Sequence, residues 1–346
     1  MRIAVDAMGS DNAPDVEVEG AVAASLERDT QIILVGDETV LKEKLAAYPK
    51  HGDIKVVHAS QVITMNDSPA DAVRHKKDAS LLVALRLVKD GNADAIVSAG
   101  NTGAVHIGAR TVLGPIRGVS RSAICGTFPT TEGRVLLLDI GANVDCSARQ
   151  LCEFAEMGIA YSHYALGVEK PRVGLLNIGE EVAKGGSLAK EVHRNLTAAP
   201  HVNFIGNVEP RAMFNGEADV VVCDGFIGNL MLKTSEAVAH LTGNLLKAQF
   251  EASSMNKIAA MLARKSLLAI KAKVDPNESA GAPLLGVNGI VIIIHGSSNP
   301  TGVSNAINGA RVAFDNRLNQ HISENIEELR NVEKKMRLER DGECNS

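Results

Sequence analysis

The chain has 346 residues, 45% hydrophobic and 22% charged, enough to bury a large core in one big domain or two ordinary ones. Thirty-six basic against 41 acidic residues give a formal net charge of −5, which excludes a global basic field for nucleic acid. No apolar run approaches the roughly 18–20 residues of a spanning helix, and the five cysteines are odd in number with no CxxC pair, so neither a disulfide framework nor a zinc site is expected.

In chain order, the opening MRIAVDAMGSD reaches Asp6 after three apolar residues, too few for the apolar core of a secretory signal, and the expected location is the cytoplasm. Strands are expected at RIAVD (2–6), QIILVG (31–36), IKVVHA (54–59), DAIVS (94–98), VLLLD (135–139), RVGLLN (172–177), VNFIG (202–206), DVVVC (219–223) and GIVIII (289–294). Most are unbroken Val, Ile and Leu, the composition of strands buried on both faces of a mainly parallel sheet. Helical spacing falls between them. Leu81, Leu82, Leu85 and Val88 line one face, and Leu151, Phe154, Met157, Tyr161 and Leu166 another. SAICGTFPTTEGR (122–134) reads as a strand and turn of a smaller subdomain.

From Phe226 to about Val274 the strand signal disappears. A long helical stretch with Leu230, Val238, Leu241 and Leu245 leads into SSMNKIAAMLARKSLLAIKAK (253–273), where Met255, Ile258, Met261, Leu262, Leu267, Leu268 and Ile270 are interspersed with five cations and no acid. A second subunit or a membrane surface fits such a face. The fold class is therefore α/β, a three-layer α/β/α sandwich over residues 1–320 carrying a protruding helical segment at about 227–274. A C-terminal helix and charged tail occupy 321–346.

Six segments end or follow a strand with glycine and small polar residues: VDAMGSDNAP, VSAGNTGA, LDIGANVD, LNIGEEVAKGG, CDGFIGN and IIIHGSSNP. In a parallel sheet such loops share one edge, the ligand-binding edge of α/β proteins. Glycine lets main-chain N–H groups approach closely and a helix N-terminus adds positive potential, so the expected guest is an anion such as phosphate. A Walker A motif and an opening GxGxxG are both absent. Asp6 and Asp139 are read either as capping helices or satisfying loop amides, or, with equal weight, as substrate contacts. His295 before Gly-Ser-Ser, and Lys184 in a glycine-rich loop beside Asn177, lean toward function, whereas Lys233 reads as a solvated cation.

DAMGSDNAP, VSAGNTGA, LLLDIGANVD, LLNIGEE, DVVVCDGFIGNLMLK and GAPLLGVNGIVIIIHGSSN together resemble the PlsX family of bacterial phosphate acyltransferases, in order from Arg2 to about Asn316. Ile294 before His295 departs from the family pattern, where a smaller residue is expected, and bears on local packing. The resemblance implies transfer of a long-chain fatty acyl group from acyl carrier protein to orthophosphate, giving an acyl phosphate for phospholipid synthesis. It also implies a homodimer with a fold similar to isocitrate and isopropylmalate dehydrogenases.

No cysteine stands in a nucleophile setting and GxSxG is missing, so direct attack by bound phosphate is expected. In this reading Lys184, His295 and Asn229 are catalytic: Lys184 holds the phosphate dianion with the amides of the Gly100–Gly103 and Gly9–Asp11 loops, Asn229 and His295 orient it or donate to the developing oxyanion, and His295 alternatively protonates the departing thiolate. Phosphate and substrate are held by Asp6, Met8, Gly9, Asp11, Ser98, Gly100, Asn101, Thr102, Gly103, Asp139, Gly141, Asn143, Asn177, Asp224, Gly225, Gly228, Gly296 and Ser297. No metal or other cofactor is expected. Acyl carrier protein would dock on Arg110, Arg117 and Arg121, or on Arg264 with Lys265. Met261, Leu262, Leu267 and Leu268 would rest the enzyme on the inner face of the membrane, beside a downstream glycerol-3-phosphate acyltransferase. The rival readings are a phosphotransacetylase using short acyl-coenzyme A, an NAD- and metal-dependent hydroxyacid dehydrogenase, and a non-catalytic anion-binding adaptor at the membrane.

Overall fold

The computed structural model describes residues 1–27 and 30–343. Its first half alternates strand and helix: β1 (Arg2–Asp6), α1 (Asp15–Glu27), β2 (Gln31–Gly36), α2 (Glu38–Ala46), β3 (Ile54–His58), α3 (Pro69–His75), α4 (Ser80–Lys89), β4 (Ala95–Ser98) and α5 (Thr102–Val112). A hairpin follows, β5 (Ala123–Pro129) and β6 (Arg134–Leu138), then α6 (Ala148–Leu166), β7 (Val173–Leu176), α7 (Ser187–Thr197), β8 (Phe204–Val208), α8 (Pro210–Asn215) and β9 (Val220–Val222). The chain then forms α9 (Gly225–Glu251), α10 (Ser254–Val274), β10 (Ala282–Leu285), β11 (Ile290–Ile293), α11 (Pro300–Asp315) and α12 (Leu318–Glu343).

All eleven strands join one sheet in the order β3-β2-β1-β4-β11-β10-β5-β6-β9-β7-β8. Alternate residues of each strand face two separate cores. Ile3, Val5, Ala95, Val97, Leu136 and Leu138 meet Phe154, Met157, Val303 and Ile322 on one side, while Ala4, Ile96, Val135 and Leu137 meet Leu81, Leu85, Val105 and Met213 on the other. Unbroken apolar runs are what burial on both faces requires, and the three-layer expectation holds.

Two features differ from the sequence reading. The 122–134 stretch is no separate subdomain, because β5 lies inside the common sheet, antiparallel to β6 and to β10. Because β10 is also antiparallel to β11, three successive reversals separate β11 from β6. The parallel set β6, β9, β7 and β8 consequently runs opposite to the parallel set β1 to β4 and β11. The six glycine loops therefore do not share one edge; they leave the sheet in two sets. A short antiparallel insertion sets strand direction, which apolar composition does not encode.

Ile294, where the sequence reading expects a smaller residue, is accommodated by glycine. It is buried, donates its amide to Ser98 O at 3.0 Å, and lies so close to Gly281, itself at φ +78°, that a Cβ there would approach Ile294 Cγ2 to 2.9 Å.

The α9–α10 hairpin stands away from both cores. Only Gly225 and Gly228 of α9 are buried and no residue of α10 is, leaving Val238, Leu241, Leu245, Met261, Leu262 and Leu268 exposed, whereas Leu267 is partly covered. α12 closes the first core with Leu318, Ile322, Ile326 and Leu329; the tail residues Cys344 to Ser346 lie outside the described residues. Among the described residues no helix is long and apolar enough to cross a membrane.

Candidate active site

The first set of loops follows β1, β4 and β11. Asp6 is buried at the end of β1 and accepts the Ser98 hydroxyl at 2.8 Å; Ser98 Oγ in turn accepts the Gly100 amide at 3.1 Å. Only glycine fits position 9, where a Cβ would stand 2.7 Å from Asp6 Oδ2 and 2.9 Å from Gly100 Cα. Burial holds the Asp6 carboxyl above its ordinary pKa, and hydrogen bonds from Ser80, Ser98 and the Met8 amide offset this in part. Met8 itself packs its side chain against Gly36. The Asp11 amide donates to Gly296 O at 2.9 Å, tying the first loop to the last.

Asn101 caps α5, its Oδ1 accepting the Ala104 amide at 3.1 Å while its Nδ2 donates to Met65 O and Asp67 O. Among the described residues no group accepts from the amides of Thr102 and Gly103, so this helix end retains donors for an anion. His295 is exposed on the adjoining β11 loop. The Ser297 amide can only donate, so its 3.1 Å contact with His295 Nδ1 makes that nitrogen an acceptor, with the Ser297 hydroxyl 2.7 Å away. In the neutral ring the proton therefore sits on Nε2, pointing outward as a donor.

The second set follows β6, β9 and β7. Asp139 lies at its floor and is saturated: Oδ1 accepts the amides of Ile124 (3.0 Å), Gly141 (3.3 Å) and Ala142 (3.1 Å), while Oδ2 accepts the Asn143 amide (2.6 Å) and Nδ2 (2.9 Å). Asp139 thus satisfies loop amides. Burial raises its pKa, and these donors offset that. Asp224 caps α9 by accepting the Ile227 amide at 2.8 Å, the Gly225 amide is taken by Asn143 O at 2.7 Å, and Gly228 is pressed onto Asp139 O. The α9 end is thus largely closed, with exposed Asn229 beside Gly141.

In the neighbouring loop Asn177 bonds the Ile178 amide (2.8 Å) and Lys184 O (3.2 Å), closing the loop at both ends. The Lys184 ammonium is exposed, 4.0 Å from Glu181, near the N-terminus of α7, which has no side-chain cap. Lys233 is an exposed cation paired with Glu236 at 2.8 Å, as read.

His106 and Ser122, residues the sequence reading passed over, join the two sets. His106 lies four residues into α5, about 6 Å along the axis from the open amides at 1.5 Å per residue, and its Nε2 is 3.0 Å from Ser122 Oγ. Ser122 O accepts Asn143 Nδ2 at 2.8 Å. Burial, with the charges of Arg110 and Arg121, pushes the His106 pKa down to about 4, so the ring is neutral at pH 7. Arg110 donates to Ser120 O at 3.2 Å, and Arg117 and Arg121 are exposed near it.

Burial pushes the thiols of Cys125 and Cys223 up, and that of Cys146 up to about 11, so none of the three is an activated nucleophile. Among the described residues no group of three or more His, Cys, Asp or Glu is placed to hold a metal ion.

A sequence model of the family described as "Fatty acid synthesis protein" matches residues 1–321. The chain belongs to that family, PlsX. It is 48% identical over 329 residues to a phosphate acyltransferase of Citrifermentans bemidjiense, covering 95% of this chain and 93% of that one. It is 47% identical over 328 residues to a phosphate acyltransferase of Geobacter sulfurreducens, covering 94% of each. Among solved structures, a phosphotransacetylase from Streptococcus pyogenes superposes with a TM-score of 0.61 at 17% identity, covering 90% of this chain and 94% of that one, a likeness of fold. This PlsX member is an acyltransferase of the phosphate acyltransferase type.

Proposed function

We propose that this PlsX member transfers a long-chain fatty acyl group from acyl carrier protein to orthophosphate. The observation that carries this reading is the open N-terminus of α5, whose Thr102 and Gly103 amides follow the glycine floor of Gly9 and Gly100, with His295 on the adjoining β11 loop. Relatives named phosphate acyltransferase, matched over most of both chains, support the phosphate acyltransferase part of it.

Phosphate held there attacks the thioester carbonyl directly. The C–S bond breaks as the C–O bond to phosphate forms, and the thiolate leaves to take a proton. Alignment supplies most of the acceleration, and the outward Nε2–H of His295 donates to the phosphate or to the developing oxyanion. In this reading Lys184 and Asn229, on the second set of loops, serve the acyl donor, and His106 and Ser122 bridge to them along α5. Arg110, Arg117 and Arg121 near that bridge offer the acidic carrier its docking face.

The exposed apolar stripe of α9 pairs with a second copy in a homodimer, and the basic, apolar α10 rests on the inner membrane face where the lipophilic product is consumed by a glycerol-3-phosphate acyltransferase. Loss of vesicle binding in Leu267→Glu plus Leu268→Glu, with dimer and activity kept, supports the membrane part; unchanged binding refutes it.

Turnover of His295→Ala and Lys184→Ala tests the site. A drop of about tenfold to a hundredfold in each, the worth of one charged hydrogen bond, is expected; wild-type rates in both overturn the assignment.

A further inference from the structure

An acid that the reaction does not use lies beneath the phosphate loop. Glu17 is in the first turn of α1, where carboxylates normally face water and the helix dipole favours them. Here Glu17 is 1% exposed, and neither of its carboxyl oxygens has a hydrogen-bond partner. The hydroxyl of Ser10 in the first loop is also buried, beside the Glu17 carboxyl. Asp6, whose charge bears on Glu17, is the next group toward the loop surface, with its Oδ2 against the Gly9 and Gly100 backbone.

Helix α1 turns this face toward α11: Gly20, one turn on from Glu17, is packed against Pro300 O and Val303. The spot thus sits under the junction of the β1, β4 and β11 loops. Of the titratable groups around it, the β1 loop contributes Asp6 and the exposed Asp11, and the β11 loop contributes the exposed His295. The first turn of α11 contributes no acid. On its own helix, Asp15 is exposed and engaged by Lys44 at 2.6 Å, and Glu19 is exposed. Among the described residues no Lys, Arg or His forms an ion pair with Asp6 or Glu17.

Two adjacent buried carboxylates without a cation cannot both stay ionised at tolerable cost, and one takes a proton instead. We propose that Asp6 and Glu17 hold a single proton between them, so that Glu17 is a positioning residue setting the charge under the phosphate loop and gating anion binding by pH. With the proton held, the floor carries one negative charge and the α5 amides dominate the potential. Once it is lost, a second negative charge repels the incoming dianion. Burial, which raises the Glu17 pKa to about 7, places the transition in the working range. The gating role rests on the phosphate-site reading above; the shared proton does not.

The test uses the full chain and sulfate, which remains a dianion throughout, from pH 5.5 to 8.5. Wild-type affinity for sulfate is expected to fall about tenfold across that range, the effect of one charge on a partly screened anion, whereas Glu17→Gln binds at the low-pH strength throughout. Infrared difference spectra should show a protonated carboxyl band in wild type that titrates near pH 7 and is missing from Glu17→Gln. A pH-independent wild-type affinity, or an unchanged slope in Glu17→Gln, overturns the gating. If the variant fails to fold, the wild-type band alone decides the shared proton, and its absence at pH 6 overturns it. Sulfate that binds at no pH while the band titrates removes the phosphate site and the gating, and leaves the proton pair standing.

Discussion

His106 Nε2 lies 3.0 Å from Ser122 Oγ, and this contact ties the helix that opens on the first glycine loop to the loop that opens the second. His106 donates or accepts as a neutral ring, because burial and two arginines hold its pKa near 4. The unfolded chain binds more protons than the folded one between that value and about 6.5. Its contribution to stability is complete above pH 6.5 and fades as pH falls toward 4, by on the order of 2–3 kcal/mol. Urea midpoints of wild type and His106→Asn measured from pH 4 to 7 should converge at the acid end. Parallel curves contradict the assigned state.

Glu17 has the opposite sign. Its pKa is about 7 in the folded chain against an ordinary 4.5, so the folded state binds more protons in between. Stability is fullest below 4.5 and declines as pH rises through 7, by on the order of 3 kcal/mol. Glu17→Gln should flatten the decline in a melting series between pH 5 and 8; a slope equal to wild type contradicts the burial argument.

Asp139 is the knot of the second set of loops. Asp139→Ala strands four amides and the Asn143 side chain, and is expected to cost about 3–5 kcal/mol, as the loss of a buried charged acceptor does. Gly228→Ala drives a methyl into Asp139 O and should be at least as damaging. Denaturant titration of both variants checks this; losses below 1 kcal/mol in either contradict it.

Lys184 is exposed and paired only weakly, at 4.0 Å from Glu181. Lys184→Ala should leave stability within about 0.5 kcal/mol of wild type while raising the KM for the acyl donor more than that for phosphate. A KM change confined to phosphate returns Lys184 to the anion loop.

The sequence made most strands legible because burial on both faces demands unbroken Val, Ile and Leu, and RIAVD and QIILVG match β1 and β2 residue for residue. The antiparallel β10, four residues containing a proline, lacked that signature, and with it went the direction of the loops after β6, β7 and β9. At the site, glycine marked the loops because only its backbone allows Asp6 and Gly100 to touch Gly9. His106 stayed hidden because a single histidine on an amphipathic helix carries no pattern. Glu17 did too, since a first-turn acid is ordinarily solvated. Both acquire meaning only from the buried groups that the fold packs around them.

The most direct test of the central claim is a phosphate-dependent acyl-transfer assay with hydroxylamine trapping of acyl phosphate, offering palmitoyl-acyl carrier protein, palmitoyl-coenzyme A and acetyl-coenzyme A in parallel. The account predicts acyl hydroxamate from the carrier-protein substrate, dependent on phosphate and far faster than from acetyl-coenzyme A. Turnover of acetyl-coenzyme A alone, or product that forms without phosphate, would contradict it.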